Sequence, residues 1–292
     1  MGKLAETDRL DMRRLRESWL IELRAQRKSP ATIRAYSIGT DLFLGAHTEL
    51  TKPTVMEWLA TFADAEPATV RLRLAAVKQF AKWLATEGYI DADSILMIKP
   101  PKLDQKPVPA LSDDELRRLI KACAGNTWRD KRDRAMVMLL RDTGLRAGEL
   151  LALEVADLDL VGCIVQVRRG KGGRRSRRSK FSATTAAAID RYLRSELKPS
   201  SGPLWRGRDG RLTYTGLTNA LRGRAVEAGV KGFHVHRLRH SAAVRWLAAG
   251  GTEGGLMSQA GWKDRTMLDR YVASAREQLA AEEFDRLNMD SD

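Results

Sequence analysis

The chain has 292 residues, of which 43% are hydrophobic and 30% charged, which is typical of a folded globular protein and excludes a disordered or fibrous one. No apolar run reaches the roughly 18 residues of a membrane span, and the first residues contain no apolar signal segment, so we expect a cytoplasmic protein with no membrane partner. The net charge of +14 predicts a polyanionic partner, because a positive field concentrates phosphate groups near the surface.

The first part of the chain has the apolar periodicity of helices. Apolar residues repeat at helical spacing from Leu10 to Leu23, and Ser29 followed by Pro30 is typical of a helix N-terminus. Another helix is predicted from about Ala68 to Thr86, with Gly88 just past its end. Its polar face carries Arg71, Arg73, Lys78 and Lys82. These basic residues either contact phosphate groups or form a solvated helix face.

Residues 99–110 predict a linker between two domains. The stretch KPPKLDQKPVP has four prolines and no apolar periodicity, so it should be extended. The predicted domains are therefore residues 1–98 and 111–292. Basic side chains exceed acidic ones by three up to residue 102 and by eleven from residue 103 onward. Most of the charge that attracts a polyanion thus belongs to the second domain.

The second domain opens with strong helix signals. Ser112 should cap a helix, because acidic residues fill the first turn after it. A second helix, from about Arg132 to Asp142, should end at Gly144. Arg146 should begin the next helix, with Glu149 one turn later. An arginine beside the free N–H groups of a helix N-terminus forms a strong anion site.

A β-hairpin is predicted at residues 163–181. The first strand alternates in polarity, and the second can pair with it across the turn GKGG. From Ile164 to Lys180 there are eight basic residues and no acidic one, so the hairpin repels itself unless an anion lies against it. An exposed turn retained for solubility is the alternative. Ser182 should then cap a helix that runs to about Leu197.

Three of the four histidines lie within seven positions, in the sequence HVHRLRH. On the helix expected from about Val235, one face carries His236, Arg239 and His240, which are three and four residues apart. An arginine on this face disfavours a divalent cation, and the two cysteines are far apart, so no metal site is predicted. A phosphate fits better, because imidazole can move a proton while guanidinium holds two oxygens.

These residues, with others in order along the chain, resemble the tyrosine recombinases of the phage integrase family. The matching residues are Arg146 in TGLRAGEL, Lys171 in RGKGGRR, the segment HRLRH, Trp262 in AGWKD and Tyr271 in LDRYV. The resemblance covers about residues 111–275. The N-terminal part resembles the family's core-site-binding domain in length, helicity and basic character alone.

The resemblance implies a fold and a domain organisation. The fold would be mainly α with a small β-sheet or hairpin, in which an α+β catalytic domain at residues 111–292 follows a helical core-site DNA-binding domain. The two domains would form a C-shaped clamp on double-stranded DNA. A tail helix at about residues 276–292 would pack on a neighbouring protomer or fold back on its own domain, and both arrangements remain open.

The resemblance also implies the reaction. Tyr271 would attack a DNA phosphodiester, forming a 3′-phosphotyrosyl link and freeing a 5′-hydroxyl, which conserves the bond energy and needs neither ATP nor a cofactor. Arg146 and Arg239 would hold the two non-bridging oxygens of the phosphate. Lys171, on its glycine-flanked turn, would protonate the leaving 5′-oxygen.

Other residues would assist this reaction. His236 would aid proton transfer at the tyrosine, and Trp262 would donate its indole N–H to a phosphate oxygen or only pack. Glu149 and His240 would orient the groups that touch the phosphate. The basic residues expected to contact DNA are Lys28, Arg34 (which precedes Ala35), Arg71, Arg73, Lys78, Arg168, Arg169, Arg174, Arg175, Arg177, Arg178 and Arg237.

We expect a site-specific recombinase that acts as a homotetramer through a Holliday junction and integrates or excises phage or mobile-element DNA, with a directionality factor as a possible partner. About 100 residues precede the linker, so the chain resembles a compact integrase without an arm-type-binding domain. The alternatives are a chromosome or plasmid dimer resolvase of the same family, a type IB topoisomerase using the same groups as a monomer, and a non-enzymatic DNA-binding regulator.

Overall fold

The computed structural model describes residues 11–102, 109–168, 177–195, 201–262, 265, 268–269 and 276–287. The chain divides into two compact units, Met1–Gln105 and Lys106–Asp292. Helices dominate both units and small sheets occur in the second, which confirms the predicted mainly α fold with a small β component. Within the ranges given above, no helix is both long enough and apolar enough to cross a membrane.

The N-terminal unit contains the helices α1 (Met12–Ala25), α2 (Pro30–Ala46), α3 (Lys52–Ala60), α4 (Pro67–Thr86) and α5 (Asp93–Leu96). Their starts have local causes. Ser29 accepts a hydrogen bond from the N–H of Thr32, and Pro30 is the first residue of α2, as predicted. The predicted helices near residues 10–23 and 68–86 are confirmed as α1 and α4.

Helices α2 and α4 cross at backbone contact. A Cβ built on Gly39 would lie 2.6 Å from the Cβ of Ala76, so any larger residue would force the two helices apart. Large aromatic side chains fill the core beneath them, with Trp19, Phe43 and Phe80 each at most 3% exposed. Burying side chains of this size stabilises the fold by about 2 to 3 kcal/mol each. The packing of these aromatic side chains therefore stabilises the close contact between α2 and α4.

The C-terminal unit contains the helices α6 (Asp113–Ala122), α7 (Trp128–Thr143), α8 (Ala147–Ala152), α9 (Ala183–Leu193), α10 (Tyr214–Glu227), α11 (Val235–Ala248), α12 (Glu253–Ala260) and α13 (Arg276–Leu287). Ser112 and Ser182 cap α6 and α9 as predicted. Helix α7 begins one turn before the predicted Arg132, because Thr127 and Asp130 form a capping box. Helix α9 ends at Leu193 instead of about Leu197.

The predicted hairpin forms part of a three-stranded antiparallel sheet, β1 (Leu158–Asp159), β2 (Ile164–Val167) and β3 (Arg177–Lys180), in the order β1-β2-β3. Val167 pairs with Arg177 at the base of the hairpin turn, and the turn itself lies outside the described residues. A second, two-stranded sheet joins β4 (Arg206–Gly207) to β5 (Gly210–Arg211). The alternation along β2 buries Val165 and Val167 against the helices.

Helix α7 is the central element of the C-terminal unit. Residues 135–140 of α7 are buried without a break, because α9 and α11 pack against different sides of it. Helix α11 thereby lies beside the C-terminal end of α7, close to the turn that leads into α8. Helix α13 packs against α11 of the same chain, while Phe284 and Leu287 on α13 remain exposed.

Candidate active site

Arg146 lies at the N-terminus of α8, directly after the turn that ends α7. Gly144 permits this turn, because its φ of 60° is in the left-handed region that favours glycine. The N–H of Arg146 donates to Glu149 Oε2 at 2.9 Å, and Arg146 Nη1 donates to Glu149 Oε1 at 3.2 Å. The side chain of Arg146 is 39% exposed. Part of its guanidinium therefore stays open to a ligand.

Arg177, the first residue of β3, approaches Glu149 from another direction. Its Nη1 and Nη2 donate to the two carboxylate oxygens at 3.0 and 2.9 Å, the paired geometry in which guanidinium binds carboxylate most strongly. Burial alone would raise the pKa of Glu149, but hydrogen bonds from Arg177 and from the Arg146 N–H, with both positive charges, lower it to about 2. We call Arg146, Glu149 and Arg177 the Glu149 cluster.

The predicted histidine and arginine segment forms the first turns of α11. Arg239 is 1% exposed and donates through Nη1 to the carbonyl of Gly144. This bond joins α11 to the turn that precedes Arg146, and it brings the two predicted phosphate-binding arginines into one region. The imidazole rings of His236 and His240 meet edge to face, with their centroids 5.3 Å apart.

His236 lies on the exposed side of α11. Its pKa is lowered to about 4 by partial burial and then by the positive charges of His240, Arg239, His234 and Arg146. Because Arg146 and Arg239 both act on this imidazole, the three side chains share one electrostatic environment. At neutral pH His236 is uncharged, which is the form that can accept a proton.

Trp262 follows α12 and is 5% exposed in a small apolar cluster formed with Ala243, Leu256, Ala260 and Leu268. The guanidinium carbon of Arg239 lies 5.1 Å from the centroid of the indole ring, a distance at which a cation and an aromatic face attract. Trp262 therefore supports Arg239 by packing. Its role as an N–H donor to a phosphate oxygen stays a prediction.

Two predicted catalytic residues, Lys171 and Tyr271, lie outside the described residues. The same holds for the predicted DNA contacts Arg169, Arg174 and Arg175. The residues on either side of the Lys171 turn are described, and their pairing anchors that turn to the sheet beside the Glu149 cluster. The roles of the residues outside the described ranges stay predictions.

Comparison with known proteins places this arrangement in a family. The sequence model of the phage integrase family matches residues 109–278, and the model of the SAM-like N-terminal domain of phage integrases matches residues 17–88. The chain belongs to the phage integrase family of tyrosine recombinases. It is thus an enzyme that cleaves and rejoins DNA at specific sites.

Relatives of this recombinase match it along most of their length. It is 33% identical over 258 residues to the tyrosine recombinase XerC of Roseiflexus castenholzii, which covers 80% of each chain. It is 32% identical over 241 residues to the tyrosine recombinase XerD of Oceanobacillus iheyensis, which covers 78% of this chain and 80% of that one.

Solved structures share the fold. The crystal structure of XerA recombinase is 25% identical, with a TM-score of 0.54, and the match covers 92% of this chain and 98% of that chain. A lambda integrase dimer bound to a core site has a TM-score of 0.73 at 16% identity, over 90% of this chain and 95% of that one. At that identity the likeness to lambda integrase shows the fold alone.

One predicted DNA contact of the recombinase is corrected by its hydrogen bonds, because all three guanidinium nitrogens of Arg237 bind carbonyls of the protein. Arg237 is 6% exposed, and it donates to the carbonyls of Pro109 and Lys231 at 3.0 and 2.7 Å and to the carbonyl of Ala110 at 3.3 Å. Glu115 lies 3.5 Å from the same guanidinium. Arg237 therefore fastens the segment before α6 to α11 and is not presented to DNA. Arg177 is corrected in the same way, because both its terminal nitrogens bind Glu149.

Basic residues of α4 also bind within the protein. Arg71 Nη1 donates to the carbonyl of Pro101 at 2.9 Å. Lys78 Nζ donates to the carbonyls of Leu96 and Ile98, and burial lowers the pKa of this lysine. Arg73 lies over the ring of Phe62, with its guanidinium carbon 4.2 Å from the ring centroid. Arg71 and Lys78 thus anchor the segment that ends α5 and follows it, while Arg73 packs on an aromatic ring after α3.

The remaining described DNA candidates are exposed. Lys28, Arg34 and Arg178 lie at the surface. Arg168 is 62% exposed at its side chain, and its Nε lies 2.6 Å from Asp157 Oδ1. These four residues keep the predicted role of DNA contacts, since their charged groups reach solvent.

One polar residue that joins two elements of the site, Gln259, was not predicted from the sequence. The Nε2 group of Gln259, on α12, donates to the carbonyl of Lys180, and its Oε1 accepts from the Lys180 N–H at 3.1 Å. The hydroxyl of Ser179 donates to the Gln259 carbonyl at 2.7 Å. This side chain continues the hydrogen bonding of β3 into the helix before Trp262. A glutamine in a helix has no local signal for such a contact, because its partners are some 80 residues away.

Together these groups form a positively charged set of donors beside a neutral imidazole. In the parts of the chain that the structure covers, no three His, Cys, Asp or Glu side chains are placed to hold a metal ion. The described side chains can bind the oxygens of a phosphodiester through Arg146 and Arg239 and accept a proton at His236.

Proposed function

We propose that this recombinase resolves dimers of chromosomes or plasmids in the bacterial cytoplasm, by exchanging strands between two copies of one site. The support is its similarity to XerC and XerD, which are chromosome dimer resolvases, over about four fifths of their length. Phage-type integration, the first expectation from the sequence, has weaker support, because the likeness to lambda integrase concerns the fold alone.

The observation that carries the proposed chemistry is the approach of Arg146, Arg239 and His236 to one region. In the proposed reaction the phenol oxygen of Tyr271 attacks the phosphorus and its proton passes to His236. The bond from phosphorus to the 5′-oxygen breaks, and Lys171 donates a proton to that oxygen. The two guanidinium groups offset the negative charge that develops on the phosphate, and the resealing step runs in reverse.

The N-terminal unit would bind the core site through α2 and α4. Two exposed apolar side chains lie one turn apart on α2, Ile38 (51%) and Leu42 (42%), and α4 adds Leu72 (52%). Apolar side chains can contact the methyl groups of thymine in the major groove, and the nearby Arg34 can contact a phosphate. We assign residues 1–98 to core-site binding, residues 99–110 to the linker and residues 111–292 to catalysis.

The recombinase would act as a tetramer. The support is the shared fold with a lambda integrase tetramer bound to a Holliday junction, which has a TM-score of 0.73 with this chain at 15% identity. Strand exchange between two duplexes requires four cleavages, and each protomer carries one set of site residues. A homotetramer on two core sites is therefore the expected active form.

The first experiment tests whether the protein forms a covalent bond to DNA through Tyr271. The protein is incubated with a nicked suicide duplex carrying a candidate site, and the protein–DNA adduct is measured. We expect an adduct that Tyr271→Phe abolishes. The matched control is Tyr214→Phe, because Tyr214 is 63% exposed at the start of α10 and lies in no part of the proposed site. No adduct on any candidate site would overturn the enzymatic reading and leave the DNA-binding regulator.

The second experiment asks which DNA is recombined. Supercoiled plasmids carry either two direct copies of one chromosomal or plasmid site, or one phage-type and one host-type site. Resolution of the plasmid with identical sites supports dimer resolution. Recombination of the unlike pair alone would overturn it in favour of integration. Relaxation of supercoils without strand exchange would favour a topoisomerase instead.

A further inference from the structure

The Glu149 cluster contains one more positive charge than a simple arginine–glutamate pair. Each oxygen of Glu149 accepts from both arginines: Oε1 from the two Nη1 groups, and Oε2 from the Arg146 N–H and Arg177 Nη2. The side chains of Glu149 and Arg177 are 15% and 16% exposed, so water screens this contact poorly.

Without Arg177 the charge on Arg146 would be cancelled. Glu149 is fixed one helical turn from Arg146, and a carboxylate at this distance opposes the attraction of Arg146 for a phosphate. Arg177 supplies a second positive charge to the same carboxylate. The cluster as a whole then carries a net charge of plus one, which is the charge that Arg146 would offer alone.

Arg177 also occupies a structurally central position. It is the residue of β3 that pairs with Val167, at the base of the turn that carries Lys171. A Cβ built on Gly261 would lie 2.8 Å from Arg177 Nε and closer still to Nη1, so the guanidinium packs directly against the backbone next to Trp262. The side chain of Arg177 thus contacts α8 and the backbone beside Trp262, while its own backbone pairs with the strand that leads to Lys171.

We propose that Arg177 is a positioning residue that offsets the charge of Glu149 and so keeps Arg146 available to the scissile phosphate. Arg177 itself does not touch DNA. The inference rests on the proposed function, because it requires Arg146 to bind the phosphate. It predicts that cleavage slows in the absence of Arg177 because the negative charge of Glu149 is no longer offset.

The test is a charge-removal rescue measured by single-turnover cleavage of a nicked suicide duplex. Arg177→Met should slow cleavage by about 10- to 100-fold, the usual range for a group that orients another functional group. Adding Glu149→Gln to Arg177→Met should recover at least about tenfold, because the opposing charge is gone. A double variant no faster than Arg177→Met would overturn the proposal.

Binding of DNA gives the second readout. Arg177→Met should bind the duplex more weakly and lower the slope of log affinity against log salt by about 1, because Glu149 then cancels the charge of Arg146, and adding Glu149→Gln should restore both. If the slope stays lower by about 1 in the double variant, Arg177 contacts a phosphate directly and the proposal is wrong. Arg194→Met is the matched control, since the Arg194 side chain at the end of α9 is 77% exposed and pairs with Asp190, so this change should alter neither cleavage nor binding.

The pH dependence of cleavage separates a charge effect from loss of folding. In Arg177→Met, burial is no longer opposed by Arg177, so the pKa of Glu149 should rise. Protonation of Glu149 then removes its charge, and the deficit of Arg177→Met against the unchanged protein should shrink as pH falls from about 8 to about 5. A deficit that stays constant over this range would contradict the proposal. Circular dichroism checks that each variant is folded.

Arg146→Ala distinguishes failure of the proposed function from failure of the inference about Arg177. If this variant cleaves DNA as fast as the unchanged protein, Arg146 does not bind the phosphate and the proposed function of the site fails. If Arg146→Ala is inactive but Glu149→Gln gives no rescue of Arg177→Met, the proposed function stands and the inference about Arg177 alone fails.

Discussion

Helix α4 of the N-terminal unit and the Glu149 cluster of the C-terminal unit both hold basic side chains against the protein, but with different acceptors. On α4, Arg71 and Lys78 donate to backbone carbonyls, which carry no net charge. In the Glu149 cluster the acceptor is a carboxylate. A cation on a carbonyl keeps its full charge in the long-range field, whereas a cation on a carboxylate loses most of it. A working phosphate site beside a carboxylate therefore needs a second cation.

Arg237 gives the sharpest test for arginines that bind backbone carbonyls, because each of its three guanidinium nitrogens donates to one. Arg237→Met should lower the free energy of unfolding by about 3 kcal/mol, since it leaves buried carbonyls without donors and Glu115 without its partner. Denaturant unfolding at neutral pH measures this change. Arg117→Met, at a side chain that is 72% exposed, should change it by less than about 0.5 kcal/mol.

An Arg237→Met variant with unchanged stability but weaker DNA binding would restore the DNA contact expected from the sequence. In that case, hydrogen bonds from all three guanidinium nitrogens to carbonyls would no longer identify an arginine as structural.

The pairing of arginines with the Glu149 carboxylate can be tested by the pH dependence of stability. Its folded-state pKa of about 2 lies below the ordinary 4.5, so its stabilising contribution is present above pH 4.5 and is lost as pH falls toward about 2. The contribution is at most about 3 kcal/mol. The difference in unfolding free energy between the unchanged protein and Glu149→Gln should therefore shrink as urea unfolding is repeated from about pH 6 down to about pH 3. A constant difference would show that the carboxylate is not held by the two arginines.

Lys78 should have a smaller effect. Lys78→Met keeps the apolar stem but removes the donor to the carbonyls of Leu96 and Ile98, which should cost about 1 kcal/mol of unfolding free energy. The salt dependence of DNA binding should not change. The matched control is Lys82→Met on the same helix, where the side chain is exposed and stability should stay the same. If Lys78→Met instead weakens DNA binding at full stability, α4 presents this charge to DNA.

Arg34 should show the smallest effect on folding and a clear one on DNA. Arg34 is exposed on α2, so Arg34→Ala should change the unfolding free energy by less than about 0.5 kcal/mol. It should reduce the slope of log affinity against log salt by about 1, as expected for the loss of one phosphate contact. An unchanged slope would remove α2 from the proposed core-site surface.

Features with a local chemical signal could be predicted from the sequence. Ser29, Ser112 and Ser182 begin the expected helices, and Gly144 ends α7. The start of α7 had a signal as well, because Thr127 and Asp130 have the spacing of a capping box. The charged residues of the site could be recognised by type and order along the chain.

The use of each arginine could not be predicted in the same way. Arg177 and Glu149 are 28 residues apart, and Arg237 and Pro109 are 128 apart, so no spacing rule connects them. In the sequence, an arginine that binds a carbonyl looks the same as one that binds a phosphate. Only the packing of β3 beside α8, and of α11 beside the segment before α6, decides which acceptor each guanidinium meets.

The absence of a side chain at Gly261 affects the position of a charged group. With φ at 67° it closes α12, and its missing side chain leaves the room that the guanidinium of Arg177 occupies. An alanine at this position would strain the backbone and push that guanidinium aside, so Gly261→Ala should weaken the pairing of Arg177 with Glu149. A residue without a functional group thereby helps to keep two arginines on one carboxylate.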